Sequence, residues 1–258
     1  MTQAPALDPA FLRLPIAHRA LHDRTAGRVE NSPAAIKAAI AAGYAIEIDL
    51  QLSSDAQAIV FHDETLDRLT PESGPVKARS AAELGRIMLM GGQDTIPTLT
   101  EVLDLVAGRV PLLIEMKDQT LALSASDGRL ESVTAAALKG YAGPVAVMSF
   151  NPSMLSHMAR LAPDIPRGIT TSSFDPPDWQ PVPEPTCDRL REIPDYDHVG
   201  ASFISHQGDD LDRPRVAELK AKGAAILCWT IRSAEDEAKV RQIADNITFE
   251  TYLAAIPA

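Results

Sequence analysis

The sequence has little cysteine and no long hydrophobic run. Its 258 residues include only two cysteines, Cys187 and Cys228, so a disulfide framework is excluded. No apolar run approaches the ~20 residues that a membrane span needs. The first residues, MTQAPALDPAFLRLP, lack the basic and apolar regions of a leader peptide. These absences predict a soluble, cytoplasmic protein without a stable membrane anchor.

Positive charge is also scarce. The chain carries 24 Lys and Arg residues against 35 Asp and Glu residues, which gives a net charge of -11. No basic run could follow a nucleic-acid backbone, so nucleic acid is not expected as a partner. An anionic small-molecule substrate would need a local positive site against this overall field, and a bound cation would help to supply it.

The order of apolar segments predicts the fold class. No hydrophilic low-complexity segment divides the chain, which indicates one domain over residues 1–258. Short runs of Ile, Val, Leu and Ala alternate with helical periodicity, which favours βα units and a mostly parallel sheet. About eight such strands in roughly 250 residues are typical of a (β/α)8, or TIM, barrel of the α/β class. The predicted strands are 14–18, 44–52, 110–116, 144–150, 167–171, 199–204, 224–231 and 246–250, and the predicted helices lie near 32–42, 98–107, 127–140, 152–161, 212–222 and 233–243.

Three segments depart from this alternation. An extended piece at 57–61 is followed by residues 63–97, whose sequence indicates an insertion after the second strand that covers the barrel mouth as a lid. The proline-rich stretch DPPDWQPVPEP at 175–185 predicts a loop in place of the fifth helix. The last predicted strand is followed only by TYLAAIPA, so the final helix is expected to be short or missing.

Three acidic residues predict a metal site. Glu47 and Asp49 lie two residues apart on one predicted strand, so their carboxylates share a face of the sheet and repel each other. A bound cation would remove that repulsion. Glu115, after VPLLI, supplies a third carboxylate, and an all-oxygen set suits Mg²⁺ or Ca²⁺ better than Zn²⁺, which more often binds Cys or His. One hard divalent cation is therefore expected, with Mn²⁺ as a third candidate.

Further polar residues follow apolar runs. His18 and Arg19 come after LPIA, His62 comes after AIVF, and Lys117 lies two residues beyond Glu115. Such groups are costly to bury, so function explains them better than structure, and TIM barrels place their sites at strand ends. Positive charge from a metal, Arg19 and Lys117 would neutralise a phosphate, while two histidines could move protons. The set predicts cleavage of a phosphate ester. Asn151, Trp229, Thr230 and Glu250 also follow predicted strands.

Several of these residues also have a structural interpretation. Glu115 and Lys117 could form an ion pair, and Arg19 could neutralise a carboxylate while it binds phosphate. Trp229 could fill the core. Asp63 could orient the His62 ring or cap a turn, and Glu250 could face the mouth or cap a terminal segment. Among the other histidines, His22 and His206 lie where they could line a pocket, whereas His157 and His198 are expected to be ordinary surface or core residues.

Four ordered segments together resemble the glycerophosphodiester phosphodiesterase family, within the phosphatidylinositol-phospholipase-C-like superfamily. They are IAHRALHD, VENSPAAIKAAIAAGYAIEIDLQLSSD, AIVFHDETLDRLT and LLIEMKD. The resemblance is dense in the N-terminal half and continues more loosely through MSFNP, LCWTI and ADNITFE. It implies a (β/α)8 hydrolase that uses a divalent cation to split glycerophosphodiesters into glycerol 3-phosphate and an alcohol.

The resemblance also implies roles for individual residues. Glu30 would act close to the metal or behind its ligands, and Trp229 would wall the alcohol or glycerol pocket. The remaining matched positions are the acid/base pair His18 and His62, the metal ligands Glu47, Asp49 and Glu115, and the phosphate ligands Arg19 and Lys117.

One position departs from the family pattern. Ala20 stands where the family has glycine after His-Arg, and its methyl group would strain the turn if the backbone there needs a positive φ. Alternatives to a glycerophosphodiesterase therefore stay open. One is a lysophospholipase D-like or cyclic-product phosphodiesterase, which a wide apolar groove would favour. Another is a non-catalytic barrel that binds a phosphorylated ligand.

Overall fold

Eight parallel strands close into a barrel in the computed structural model, which describes residues 5–257. The closure is made by β1, which pairs with both β2 and β9. The short strand β3 pairs antiparallel with β2 outside the ring. The strands are β1 (Ile16–Ala17), β2 (Ala45–Leu52), β3 (Ala58–Val60), β4 (Leu112–Met116), β5 (Val145–Ser149), β6 (Arg167–Thr171), β7 (Phe203–Gln207), β8 (Ala225–Ile231) and β9 (Asn246–Phe249). The predicted (β/α)8 fold is confirmed.

Helices cover the outside of the barrel, and five of them begin with a side-chain cap. Before α2, the Ser32 side chain accepts a hydrogen bond from the amide of Ala35, and Pro33 takes the first helical position. Gly43, with φ of 78°, ends the same helix. The helices are α1 (Ala10–Arg13), α2 (Pro33–Ala42), α3 (Ala81–Leu84), α4 (Leu99–Val106), α5 (Arg129–Leu138), α6 (Pro152–Leu161), α7 (Glu184–Arg191), α8 (Pro214–Ala221) and α9 (Ala234–Val240).

Two apolar layers decide where a site can form. Alternate strand residues, such as Ile46 and Ile48, pack outward against the helices. The inward residues toward the amino ends of the strands, including Ala45, Leu113 and Phe203, pack with Phe11 of α1 and close the barrel floor. The inward positions nearer the carboxyl ends of the strands are left for polar side chains.

The prediction that a loop at 175–185 replaces the fifth helix is wrong. Residues 176–179 form a 3₁₀ turn, but α7 begins at Glu184 and supplies the fifth helix. Pro183 and Pro185 stand at the N-cap and in the first turn, where a helix needs no backbone N–H. The proline run therefore starts the helix instead of preventing it.

Strand β7 is shifted from its predicted position. β7 begins at Phe203 and continues through Ser205, His206 and Gln207, whereas 199–204 was expected. Gly200, with φ of 61°, lies in the turn that precedes it. The apolar pattern misplaced the strand because it treated the polar His206 as lying outside the sheet. His206 is buried and hydrogen-bonded to Thr171 of the neighbouring strand, with 2.7 Å between Nδ1 and Oγ1.

The segment 63–97 is irregular, with a 3₁₀ turn at 76–78 and the short helix α3. It encloses an apolar cluster of its own, which includes Leu66, Val76 and Ile87 and packs on Phe61. Its first residues, 63–65, line a cavity near the barrel mouth. Its role as a lid stays a prediction. Within residues 250–257 no helix follows β9, in agreement with the short or missing final helix.

Gly168 in β6 gives a test of the packing inside the barrel. A Cβ atom on Gly168 would lie 2.2 Å from the ring of Phe203, its neighbour in β7. Gly168→Ala is therefore expected to lower the free energy of unfolding by about 1–3 kcal/mol, measured by urea denaturation. In a Phe203→Leu background the same change should cost less, and an equal cost in both backgrounds would contradict the clash.

Candidate active site

Three carboxylates meet at the carboxyl ends of β2 and β4. Glu47 and Asp49 project inward from β2, and Glu115 is the register neighbour of Asp49 on β4. One oxygen of each lies within 4.8 Å of the other two, and the residues are only 1%, 1% and 6% exposed. Burial and the charges of Asp49 and Glu115 raise the pKa of Glu47 well above its usual range. The structure therefore brings together the three predicted metal ligands.

Cations and amides hold these carboxylates in place. Lys117 Nζ lies 2.6 Å from Glu115 Oε1 and 3.0 Å from Asp49 Oδ1. Asn31 Nδ2 donates to Asp49 Oδ2 at 2.8 Å, and the backbone amide of Arg19 donates to Glu47 Oε2 at 2.8 Å. Burial opposes ionisation of Asp49, but Lys117, His62 and Arg19 outweigh it and lower the pKa of Asp49. Glu115 and Lys117 therefore form the ion pair that was the structural interpretation of these two residues.

The donor set fits a hard divalent cation. All the candidate ligand atoms are carboxylate oxygens, which is the chemistry that Mg²⁺ and Ca²⁺ prefer. Burial and the charges of Asp49 and Glu115 raise the pKa of Glu47 although Lys117 acts in the opposite direction. An additional positive charge at the centre would relieve that repulsion.

His18 follows β1 and is held by a carboxylate from the far end of the chain. Its Nδ1 lies 2.7 Å from Glu250 Oε2, and Arg232 Nε donates to the other oxygen of Glu250 at 2.8 Å. Burial lowers the pKa of His18, although the hydrogen bond to Glu250 acts in the opposite direction. His22 lies beside the same carboxylate, with 3.5 Å between Nε2 and Glu250 Oε2.

His62 has a similar arrangement on the opposite part of the site. Its Nδ1 lies 2.7 Å from Asp63 Oδ1, so Asp63 contacts the imidazole directly. Burial opposes ionisation of Asp63, but hydrogen bonds from His62 and Arg68 prevail and lower its pKa. Both imidazole rings therefore have Nδ1 engaged by a carboxylate, which leaves Nε2 for a ligand.

The predicted acid/base, metal-binding and phosphate-binding residues and Trp229 line one cavity of about 190 Å³, whereas Asp63 lies outside its lining. Trp229 forms part of its wall, donates from Nε1 to the Ser205 carbonyl at 3.0 Å, and packs edge-on against Phe150 with ring centroids 5.6 Å apart. The lining residues are His18, Arg19, Glu47, Asp49, His62, Glu115, Lys117, Met148, Phe150, Trp229, Thr230, Arg232 and Thr248.

Glu30 does not line this cavity but lies behind Arg19. Arg19 Nη1 donates to Glu30 Oε1 at 2.8 Å, and Arg19 Nε is 3.7 Å from Asp49 Oδ2. Burial disfavours the charge on Arg19, yet Asp49 and Glu30 raise its pKa overall. The Arg19 guanidinium is thus anchored by carboxylates on two sides.

The structure also separates other residues from the site. Asn151 caps α6 by accepting from the amide of Ser153 at 2.9 Å. His206 is buried between Thr171 and Asp210, and His198 lies on the surface.

Sequence reasoning missed Met148, Arg232 and Thr248, which line the cavity, and three further residues that contact the site. Asn31, Arg68 and Phe150 carry no metal or acid/base pattern of their own. Their signal is position, because Asn31 directly follows Glu30 and Arg68 lies in the segment that begins with His62 and Asp63.

Ala20 does adopt the conformation that glycine favours. Its φ is 64° and it is 2% exposed, while its amide donates to the Glu47 carbonyl at 2.9 Å. This left-handed turn costs roughly 1–2 kcal/mol for a residue with a Cβ atom. Despite this strain, the neighbouring carboxylates, cations and histidines still surround the cavity.

A closed parallel barrel with acidic, basic and imidazole groups gathered in one cavity places the chain in the class of TIM-barrel proteins. The sequence model of the Glycerophosphoryl diester phosphodiesterase family matches residues 18–246. The chain belongs to this family, as the resemblance predicted.

Individual relatives are similar in sequence and fold. A glycerophosphodiester phosphodiesterase from Caldanaerobacter subterraneus subsp. tengcongensis is 32% identical over 148 residues, which are 54% of this chain and 60% of the relative. A phosphodiesterase from Oleispira antarctica, solved in complex with the product sn-glycerol-3-phosphate, gives a TM-score of 0.74 at 26% identity over 92% of this chain and 93% of that chain. A glycerophosphodiester phosphodiesterase from Thermotoga maritima shares the fold, with a TM-score of 0.67 at 21% identity over 92% and 94%.

Among the described residues, 5–257, no helix has both the length and the apolarity of a membrane span.

The raised pKa of Glu47 predicts a reversal of stability by metal. Without metal, the protein loses stability as the pH rises above the unfolded pKa of Glu47, because the folded state resists ionisation of this carboxyl group. Glu47→Gln removes this effect and is expected to melt at a higher temperature than the parent at pH 8. With Mg²⁺ or Ca²⁺ at about 100 times its Kd, the parent gains about 2.7 kcal/mol and should overtake the variant. Thermal melts in chelator and in metal test this order, with the exposed Glu235→Gln as control. A metal-insensitive parent would refute the site.

Proposed function

We propose that the protein is a metal-dependent glycerophosphodiester phosphodiesterase, which releases glycerol 3-phosphate and an alcohol. The observation that carries this proposal is the single cavity lined by the carboxylates Glu47, Asp49 and Glu115 together with two histidines and two cations. Family membership supports the same reaction class.

Each group in the cavity has a task in this reaction. A phosphodiester resists attack because its negative charge repels nucleophiles. A cation held by the three carboxylates would supply Lewis acidity toward the phosphate oxygens. Arg19 and Lys117 bind the non-bridging oxygens and stabilise the charge that grows on them.

His18 and His62 move the protons. With Nδ1 of each ring bonded to Glu250 or Asp63, Nε2 can take a proton from the nucleophile or give one to the leaving alkoxide. The nucleophile that we favour is the glycerol 2-hydroxyl of the substrate, which gives a cyclic phosphate that water then opens. Direct attack by water uses the same side chains.

A second candidate activity is a lysophospholipase D-like reaction. A cavity of about 570 Å³ opens next to His62 and Lys117. Its wall is partly apolar, with Leu121, Leu123, Phe150, Trp179 and Val182 among the lining residues. A lipid chain would bury its apolar surface against such a wall. The third candidate, a barrel that binds a phosphorylated ligand without turnover, is motivated by the strained Ala20.

Replacing either histidine tests the acid/base assignment. His18→Ala and His62→Ala are each expected to lower kcat by ~10²–10⁴, because each removes one proton-transfer group. Steady-state rates with glycerophosphocholine measure the loss, and the surface variant His198→Ala is the control. Full activity in His62→Ala would disprove the pair.

A substrate panel separates the candidate activities. Chelator-treated protein refilled with Mg²⁺, Ca²⁺ or Mn²⁺ is expected to release glycerol 3-phosphate from glycerophosphocholine or glycerophosphoethanolamine faster than it cleaves a lysophospholipid. Preference for the lysophospholipid would favour the second activity, and metal-dependent binding without product would favour the third. A cyclic phosphate intermediate is expected, and turnover of substrates that lack the 2-hydroxyl without any such intermediate would exclude the 2-hydroxyl route.

A further inference from the structure

Arg68 lies in the segment 63–97, outside the lining of the 190 Å³ cavity, yet it contacts two residues that support the site. Its Nε and Nη2 donate to the two oxygens of Asp63 at 2.6 and 2.8 Å. Its Nη1 and Nη2 donate to the two oxygens of Glu30 at 2.8 and 2.7 Å. One planar guanidinium therefore holds two carboxylates in a forked geometry on each side.

These hydrogen bonds link one residue of the proposed acid/base pair to one proposed phosphate ligand. Asp63 accepts from Nδ1 of His62, and Glu30 accepts from Nη1 of Arg19. A continuous chain of charged hydrogen bonds thus runs from Arg19 through Glu30, Arg68 and Asp63 to His62. Its two ends both line the 190 Å³ cavity.

An ordinary surface ion pair would not explain this arrangement. Exposed pairs contribute little, as expected for Arg79 and Glu72 in the same segment, whose side chains are 40% and 43% exposed. Arg68 is itself 45% exposed, but Glu30 and Asp63 are only 13% and 21% exposed, and without Arg68 the two carboxylates would repel each other. The guanidinium fork fixes the position of both at once, which a lysine ammonium cannot do.

We propose that Arg68 is a positioning residue. It fixes the orientation of the His62 ring through Asp63 and that of the Arg19 guanidinium through Glu30. The inference rests on the proposed roles of His62 and Arg19. Arg68 itself touches no reacting atom. Removal of such an outer partner typically lowers activity about 10–100-fold.

Kinetics with matched variants test this role. Arg68→Gln is expected to lower kcat/KM with glycerophosphocholine by about 10–100-fold, whereas Arg79→Gln leaves it unchanged. Arg68→Lys keeps the charge but not the fork, so it should recover little activity. In a background that carries both Asp63→Asn and Glu30→Gln, Arg68→Gln should lower kcat/KM much less, because its routes to His62 and to Arg19 are already broken. Full rescue by lysine, or the same loss in both backgrounds, would overturn the proposal.

A spectroscopic measurement tests the inference without turnover. The ¹⁵N shifts of the His62 ring, assigned by their loss in His62→Ala, are expected to report one Nδ1–H tautomer in the parent and in Arg79→Gln. A tautomer mixture is expected in Arg68→Gln, and an unchanged ring would overturn the proposal. An inactive parent with the expected shifts would instead refute the proposed function alone. Circular dichroism checks folding, and Arg68→Lys serves for both measurements if Arg68→Gln does not fold.

Discussion

Repulsion among buried carboxylates is the constraint on which the rest of the site depends. One oxygen of each of Glu47, Asp49 and Glu115 lies within 4.8 Å of the other two inside the barrel, where burial weakens the screening of their charges by water. Lys117 bridges two of them and the Arg19 amide donates to the third, yet burial and the charges of Asp49 and Glu115 still raise the pKa of Glu47. A cation bound among these carboxylates would relieve that repulsion.

The barrel makes this concentration of charge tolerable. Apolar residues such as Phe11 and Phe203 close the floor, so the polar groups are confined to the layer near the carboxyl ends of the strands. Around that layer, each reactive side chain has a partner of opposite charge. Glu250 and Asp63 hold the two histidines, and Arg232 and Arg68 hold those carboxylates in turn. The site is therefore a set of charges fixed in position by their neighbours, which is the arrangement that electrostatic catalysis requires.

Much of the fold and of the site could be predicted from sequence, but for different reasons. Apolar runs bounded by helical periodicity located most strands, because burial on both faces of a parallel strand leaves a continuous apolar signal. The same signal failed at β7, whose Ser205, His206 and Gln207 are polar yet lie in the barrel wall. It failed again at α7, where prolines start a helix. At β7 a tertiary hydrogen bond between His206 and Thr171 accommodates the polar residue in the barrel wall. At α7 the prolines lie at the start of the helix, where no backbone N–H is needed.

The sequence by itself determined the barrel, the inward face shared by Glu47 and Asp49, and the family, because these depend on residue spacing and on ordered motifs. Only the tertiary structure decided that Glu250 lies against His18, that Asn31 fixes Asp49, and that Arg68 joins Glu30 to Asp63. His18 and Glu250 stand at opposite ends of the chain and meet because β1 and β9 close the ring. Spacing along the chain carries no information about such a contact, which exists only once the barrel has closed.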